Sequence, residues 1–195
     1  MRGELVAKSG EFLHEPFAVR LRHPENATLM WHDGFHLGLA VTMRQHGVKI
    51  GMLRMEYPLA IFTATFFDYR ASGKTGEIAL CADLSAGKMR CFPTRHQPQP
   101  FDSLRSIDGE AVPLGLAVGG RSGAITTLDY RAREVFDAYG PVGDSGLGMV
   151  VKIDTAELRQ PIHRHLLWIV PFIVVLLVLG FSGCAGRWGR WCAKC

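Results

Sequence analysis

Apolar and polar residues alternate along much of the chain, the period of two that marks half-buried strands. Thr28–Trp31 reads as a short strand, stopped by the turn pair Asp33-Gly34. Phe35–Met43 follows with Leu37, Leu39 and Val41 on one face, and Arg44-Gln45-His46-Gly47 supplies a hairpin turn. Val48–Glu56 returns with Val48, Ile50 and Met52 alternating, closed by Tyr57-Pro58. The period then changes. Ile61, Phe62, Thr65, Phe66 and Tyr69 share a helical face over Leu59–Tyr69. Glu77–Asp83 and Lys88–Phe92 predict a second hairpin, joined through Leu84–Gly87. Pro93–Gly109, with Pro93, Pro98 and Pro100, reads as loop, while Val112–Val118 fits helix or strand. Ser122–Leu128, Ala132–Tyr139 and Leu147–Ile153 predict three more strands. Asp154 followed by Glu157 has the spacing of a capping box and predicts a last helix there.

That helix runs without a linker into a long apolar stretch. Leu166–Gly186 holds no charged residue, and Leu166–Leu179 is almost wholly Leu, Ile, Val, Phe and Trp. About 20 such residues cross ~30 Å of hydrocarbon. Pro171 is a breaker that bilayer helices tolerate, and Trp168 and Trp188 stand where interfacial aromatics belong. The expectation is a transmembrane helix, the competing reading a buried core helix. Met1-Arg2-Gly3-Glu4 opens a polar stretch with no signal-peptide pattern. Arg187, Arg190 and Lys194 follow the span while Arg159 and Arg164 precede it, so basic residues barely bias its orientation.

With 195 residues, 48% hydrophobic and 21% charged, the chain can build one domain of ordinary size with a real core. A net charge of +4 from scattered Lys and Arg gives no basic stripe, so nucleic acid is not an expected partner. Gly73-Lys74-Thr75 looks like the end of a phosphate-binding loop, but Asp68 stands where that motif needs its first glycine. His32 with His36, and His163 with His165, lack further ligands at metal spacing. Cys192 and Cys195 form a single CxxC without the partners of a zinc or redox site. Asn26-Ala27-Thr28 matches a glycosylation acceptor and reads as loop. Acids such as Asp83 and Asp137 look like solvated strand positions, and no nucleophile, base and orienting residue group together. Neither a cofactor, a metal nor an enzyme activity is therefore expected of this chain.

Several segments resemble a known family. Gly73-Lys74-Thr75-Gly76-Glu77 with Ile78–Cys81 is similar to the opening of double-Cache sensor domains. Arg121-Ser122-Gly123, Asp129-Tyr130-Arg131 and Val135–Pro141 resemble their closing strands, and Leu147–Glu157 their exit strand and helix. The likeness covers about residues 59–180. It implies an α+β fold, a PAS-like antiparallel sheet with flanking helices followed by one C-terminal transmembrane helix. It also divides the chain: 1–58 as a remnant of a membrane-distal module, 59–153 as the membrane-proximal sensor domain, 154–186 as exit and transmembrane helix, and 187–195 as a short basic tail.

The function it implies is an extracytoplasmic small-molecule sensor in the inner membrane. Its signal would pass to a cytoplasmic output domain outside this chain, a diguanylate cyclase making cyclic di-GMP or else a histidine kinase. The chain would then be a fragment of a longer, homodimeric receptor with its sensor in the periplasm. A membrane-anchored docking or assembly protein is the competing class. Arg121, Tyr130, Arg131 and Tyr139 are the expected contacts for a carboxylate or amino-acid ligand, since guanidinium forks suit carboxylates. They could equally be turn and core residues. Cys81 and Cys91 lie equidistant from Ala86 in the expected hairpin, which sets them opposite each other at about 4.5–5.5 Å between Cα atoms. They are either a disulfide, if the domain is exported, or two buried thiols.

Overall fold

Alternation becomes two antiparallel sheets in the computed structural model, which describes residues 7–68, 73–128, 133–159 and 166–178. Contacts divide the chain into one unit of Met1–Asp154 and another of Thr155–Cys195. In the first, β1 (Phe17–Arg20), β2 (Ala27–Trp31), β3 (Phe35–Gln45) and β4 (Val48–Pro58) form a four-stranded meander in sequence order. The 11-residue strands β3 and β4 turn at His46-Gly47, with a bulge after Met43. β1 was not expected: at four residues it is too short to show alternation, and only its pairing with β2 makes it a strand.

After the short helix α1 (Ala60–Phe66) come β5 (Glu77–Ser85), β6 (Lys88–Cys91), β7 (Phe101–Leu104), the small ribbon β8 (Ser106–Ile107) and β9 (Glu110–Ala111), and helix α2 (Pro113–Val118). β10 (Gly123–Leu128), β11 (Glu134–Pro141) and β12 (Leu147–Asp154) complete the unit. The second sheet has the order β10-β11-β12-β5-β6-β7. The last strand therefore lies at its centre, paired on one side with β11 and on the other with β5. One expectation needs correcting here, and one open choice is settled. Residues 93–109 are not all loop, because β7 pairs with β6 from Phe101 onward, past the last proline of the segment. Residues 112–118 resolve as helix, with Pro113 at its first turn, where a missing N–H costs nothing.

One face of the six-stranded sheet packs against the meander. Val19, Leu29 and Phe35 meet Leu80, Ala82, Phe92 and Leu147 in a shared core, closed by Phe66 of α1. Phe35 is its hub: at 1% exposure, its ring lies within 4.9–5.2 Å of those of Phe62, Phe66, Phe92 and Trp31. Such edge-on and tilted aromatic pairs add to the burial term. The buried side of α1 differs from the expected one. Ile61 is 85% exposed, whereas Thr63 accepts a hydrogen bond from the Phe35 N–H and donates one to the Leu59 carbonyl, both 2.9 Å.

The opposite face carries α2 and a second core of Cys81, Met89, Cys91 and Val118, flanked by Phe101, Val112 and Leu114. α2 sits close because two glycines leave room. A Cβ on Gly148 would lie 2.4 Å from the Val118 nitrogen, and one on Gly115 would lie 2.2 Å from the Arg105 carbonyl oxygen. Backbone cannot yield as a side chain tip does. We expect Gly148→Ala to lower unfolding stability by about 1–3 kcal/mol, measurable by urea denaturation. Cys81 and Cys91 are register partners, fully buried, with sulfurs bonded at 2.02 Å and Cα atoms 4.0 Å apart. Closing a loop of sequence separation 10 is worth about 2–3 kcal/mol. Replacing both cysteines by alanine should show a loss of that size in the same assay.

In the second unit, residues 155–159 and 166–178 are helical. Among the described residues no helix is long and apolar enough to cross a membrane. The expected join at 160–165 and the end of the expected span, 179–186, lie outside the described residues, as does the tail 187–195 with its CxxC.

Candidate functional site

Strand register brings together charged residues that are far apart in sequence. Glu77 on β5 is the cross-strand partner of Lys152 on β12, and Lys152 is the partner of Asp137 on β11. Directly paired residues project from the same face of an antiparallel sheet. An acid, a base and an acid therefore form a row across the three central strands, on the face that carries α2. Glu77 is 4% exposed and Asp137 2%, and Lys152 is half-buried between them. Asp137 is thus not the solvated position that strand alternation implied. A charged side chain inside a sheet costs several kcal/mol unless other polar groups answer it, and here opposite charges are neighbours in register while the loop after β6 bonds Glu77.

The row is framed by its neighbours. The loop after β6 closes over Glu77: the Thr94 hydroxyl donates to Glu77 Oε1, and the His96 N–H donates to the same oxygen at 3.2 Å. Arg95 Nη1 donates to the Lys74 carbonyl at 2.6 Å, which pins that loop to the lead-in of β5. Beside the row, two residues beyond Lys152 along the same strand, stands Asp154, the last residue of β12. Its N–H donates to Thr75 Oγ1 at 3.1 Å, and its carboxylate accepts from Arg133 Nη1 at 3.1 Å. The Gly73–Glu77 segment, singled out by resemblance, thereby grips the strand that leaves the domain. Thr75 holds the end of that strand, and Glu77 pairs with it two residues earlier.

Of the expected ligand residues, Tyr139 lies on the same face as Asp137, with its ring across Gly123 of β10, whose added Cβ would stand 2.8 Å from the Tyr139 hydroxyl. Arg121 is exposed two residues before Gly123, its N–H bonded to the Leu116 carbonyl at the end of α2. Tyr130 and Arg131 lie outside the described residues. Glu77, Asp137, Lys152 and Asp154 were not among the expected contacts. Their only signal in the sequence is a charge at an inward strand position, which becomes visible once the pairing is known. Chemically the row can offer the Lys152 ammonium to a carboxylate and the Asp137 carboxylate to an ammonium group, both through charge-assisted hydrogen bonds. Among the described residues no group of three or more His, Cys, Asp or Glu side chains is placed to hold a metal ion.

No family model and no curated protein matches the chain. Among solved structures it is similar to "the extracellular domain of the putative histidine kinase rpHK1S-Z16", at 14% identity and a TM-score of 0.44, over 76% of this chain and 57% of that one.

Proposed function

We propose that the chain is the sensor module of a double-Cache-type membrane receptor, binding a small amino-acid-like or carboxylate ligand at the Glu77–Lys152–Asp137 row. The observation that carries this reading is the placement of that row across the strand that leaves the domain. A ligand carboxylate would pair with Lys152, and a ligand ammonium with Asp137. Engagement of Lys152 would bias the position of β12 relative to β5 and β11, and the Thr75 and Arg133 contacts would carry that bias to Asp154. Beyond it, the uncharged stretch 166–186 is long enough in sequence to span a bilayer as one helix. The output we favour is a cytoplasmic diguanylate cyclase on the intact receptor, with the sensor in the periplasm.

A thermal-shift screen of the full chain, in detergent, against amino acids, carboxylic acids and amines tests the proposal. At ~100 times its Kd, a ligand confined to the native state adds about 2.7 kcal/mol. For a domain of this size that raises Tm by roughly 5–10 °C. If none of the three classes moves Tm, the sensor reading fails in favour of a docking protein.

A further inference from the structure

Among the described residues β4 is the end strand of its sheet, and most of its residues are exposed. Leu53, Met55 and Tyr57 on one of its faces are 41–67% exposed, continuous with Val41 across the hairpin. Open edges of this length invite pairing with another strand. The hydrogen-bond phase decides which residues are available for it. The Leu59 N–H bonds the Phe35 carbonyl at 2.8 Å, and bonded and unbonded pairs alternate along an antiparallel ladder. Tyr57, Met55 and Leu53 therefore direct their N–H and C=O groups at β3, and Glu56, Arg54 and Met52 direct theirs outward. The bond from the Ala40 N–H to the Asn26 carbonyl, at 2.9 Å on the far side of β3, has the matching phase.

We propose that β4 pairs antiparallel with β4 of a second copy of this chain, joining two meanders into one continuous sheet. Outward groups can bond only outward groups, which restricts the two-fold registers. One of them sets Arg54 opposite Glu56 of the second copy, twice, with Met55 facing its own copy at the axis and Leu53 facing Tyr57. Met52 would face Pro58, which can accept but not donate, so the joint has about six backbone hydrogen bonds. The neighbouring register would put Arg54 against Arg54, a like-charge contact that destabilises. Both faces of the chosen register are complementary: exposed apolar side chains meet on one, and opposite charges on the other. Glu56 Oε2 accepts from the Leu13 N–H within its own chain, which leaves Oε1 for the arginine of the second copy. The proposal stands on strand geometry and is independent of ligand binding.

The test is site-directed cross-linking of the full chain in which Cys184, Cys192 and Cys195 are replaced by serine. Residues facing each other at an unbonded antiparallel pair lie ~4.5 Å apart at Cα, within disulfide reach. Under mild oxidation Met55→Cys should give covalent dimer, whereas Leu53→Cys and Ile50→Cys should leave monomer. Adding Arg54→Glu or Glu56→Arg to Met55→Cys should remove most of the dimer, and mixing the two charge variants should restore it. Monomer at Met55→Cys overturns the proposal. So does equal cross-linking at Ile50→Cys, or a yield indifferent to the charge swap.

Discussion

Phe35→Ala should unfold the domain at temperatures where the unaltered protein is intact. Removing a fully buried phenylalanine costs about 3–5 kcal/mol, from lost transfer energy plus the cavity left behind. Phe35 is 1% exposed and belongs to both sheets' common core, touching Phe92 just past β6 of the second sheet and Phe62 and Phe66 from α1. Its loss removes the centre of the joint, and relaxation from either sheet cannot fill a space bounded by rigid rings. Because the meander and the larger sheet share that core, both should lose structure in one urea transition displaced to lower concentration. Phe62→Ala, at a ring 42% exposed, should cost far less. Two separate transitions in Phe35→Ala, one unchanged from the parent, would show that the sheets are held by something other than this cluster.

The second large effect concerns the charged row. Lys152→Met keeps the length and apolar stem of the side chain and removes its charge. It should abolish the thermal shift produced by any carboxylate or amino-acid ligand. Asp137→Asn should abolish the response to amines and weaken that to amino acids, leaving simple carboxylates nearly unaffected. A ligand contact through a buried charged group is typically worth 2–5 kcal/mol, so each loss corresponds to at least about 30-fold in affinity. Urea denaturation of the unliganded variants provides the control, because taking Lys152 from between the buried Glu77 and Asp137 should itself cost about 3–5 kcal/mol, and ligand responses are read below each variant's own transition. A folded variant that still responds to the full ligand set would remove the row from the binding site. Arg121→Ala, at an exposed residue beside the end of α2, separates the contacts suggested by resemblance from those assigned by register.

Much of the sheet was legible because its strands follow period two and its turns carry their own chemistry. Arg44–Gly47, Leu84–Gly87 and Gly140–Gly146 each fall between runs of alternating residues, and hairpins form at all three, the last starting later than expected because β11 runs to Pro141. β1 and β7 were not legible. Four residues hold too little pattern, and the prolines at 93, 98 and 100 hide the strand that starts beside them. α1 is a helix as expected and Phe66 turns inward as expected, but Ile61 of the expected face is exposed and Thr63 takes part in the inward side. Its orientation is decided by Thr63, a polar residue that turns inward only because the Phe35 N–H needs an acceptor. The candidate site was the least readable part. A charge at an inward strand position looks the same as one at an outward position until register is known, and the register of β5, β11 and β12 joins residues 77, 137 and 152. Pairing over such distances depends on which edges meet, and period alone does not contain that.

Hydrogen–deuterium exchange on the full chain, with and without the amino acid that gives the largest thermal shift, puts the proposed sensing row to its most direct trial. Slowed exchange should concentrate in residues 77–79, 135–139 and 150–154 and leave β1–β4 unchanged. Protection confined to the meander, or no change in exchange despite bound ligand, would contradict a binding site on the helix-covered face of the larger sheet.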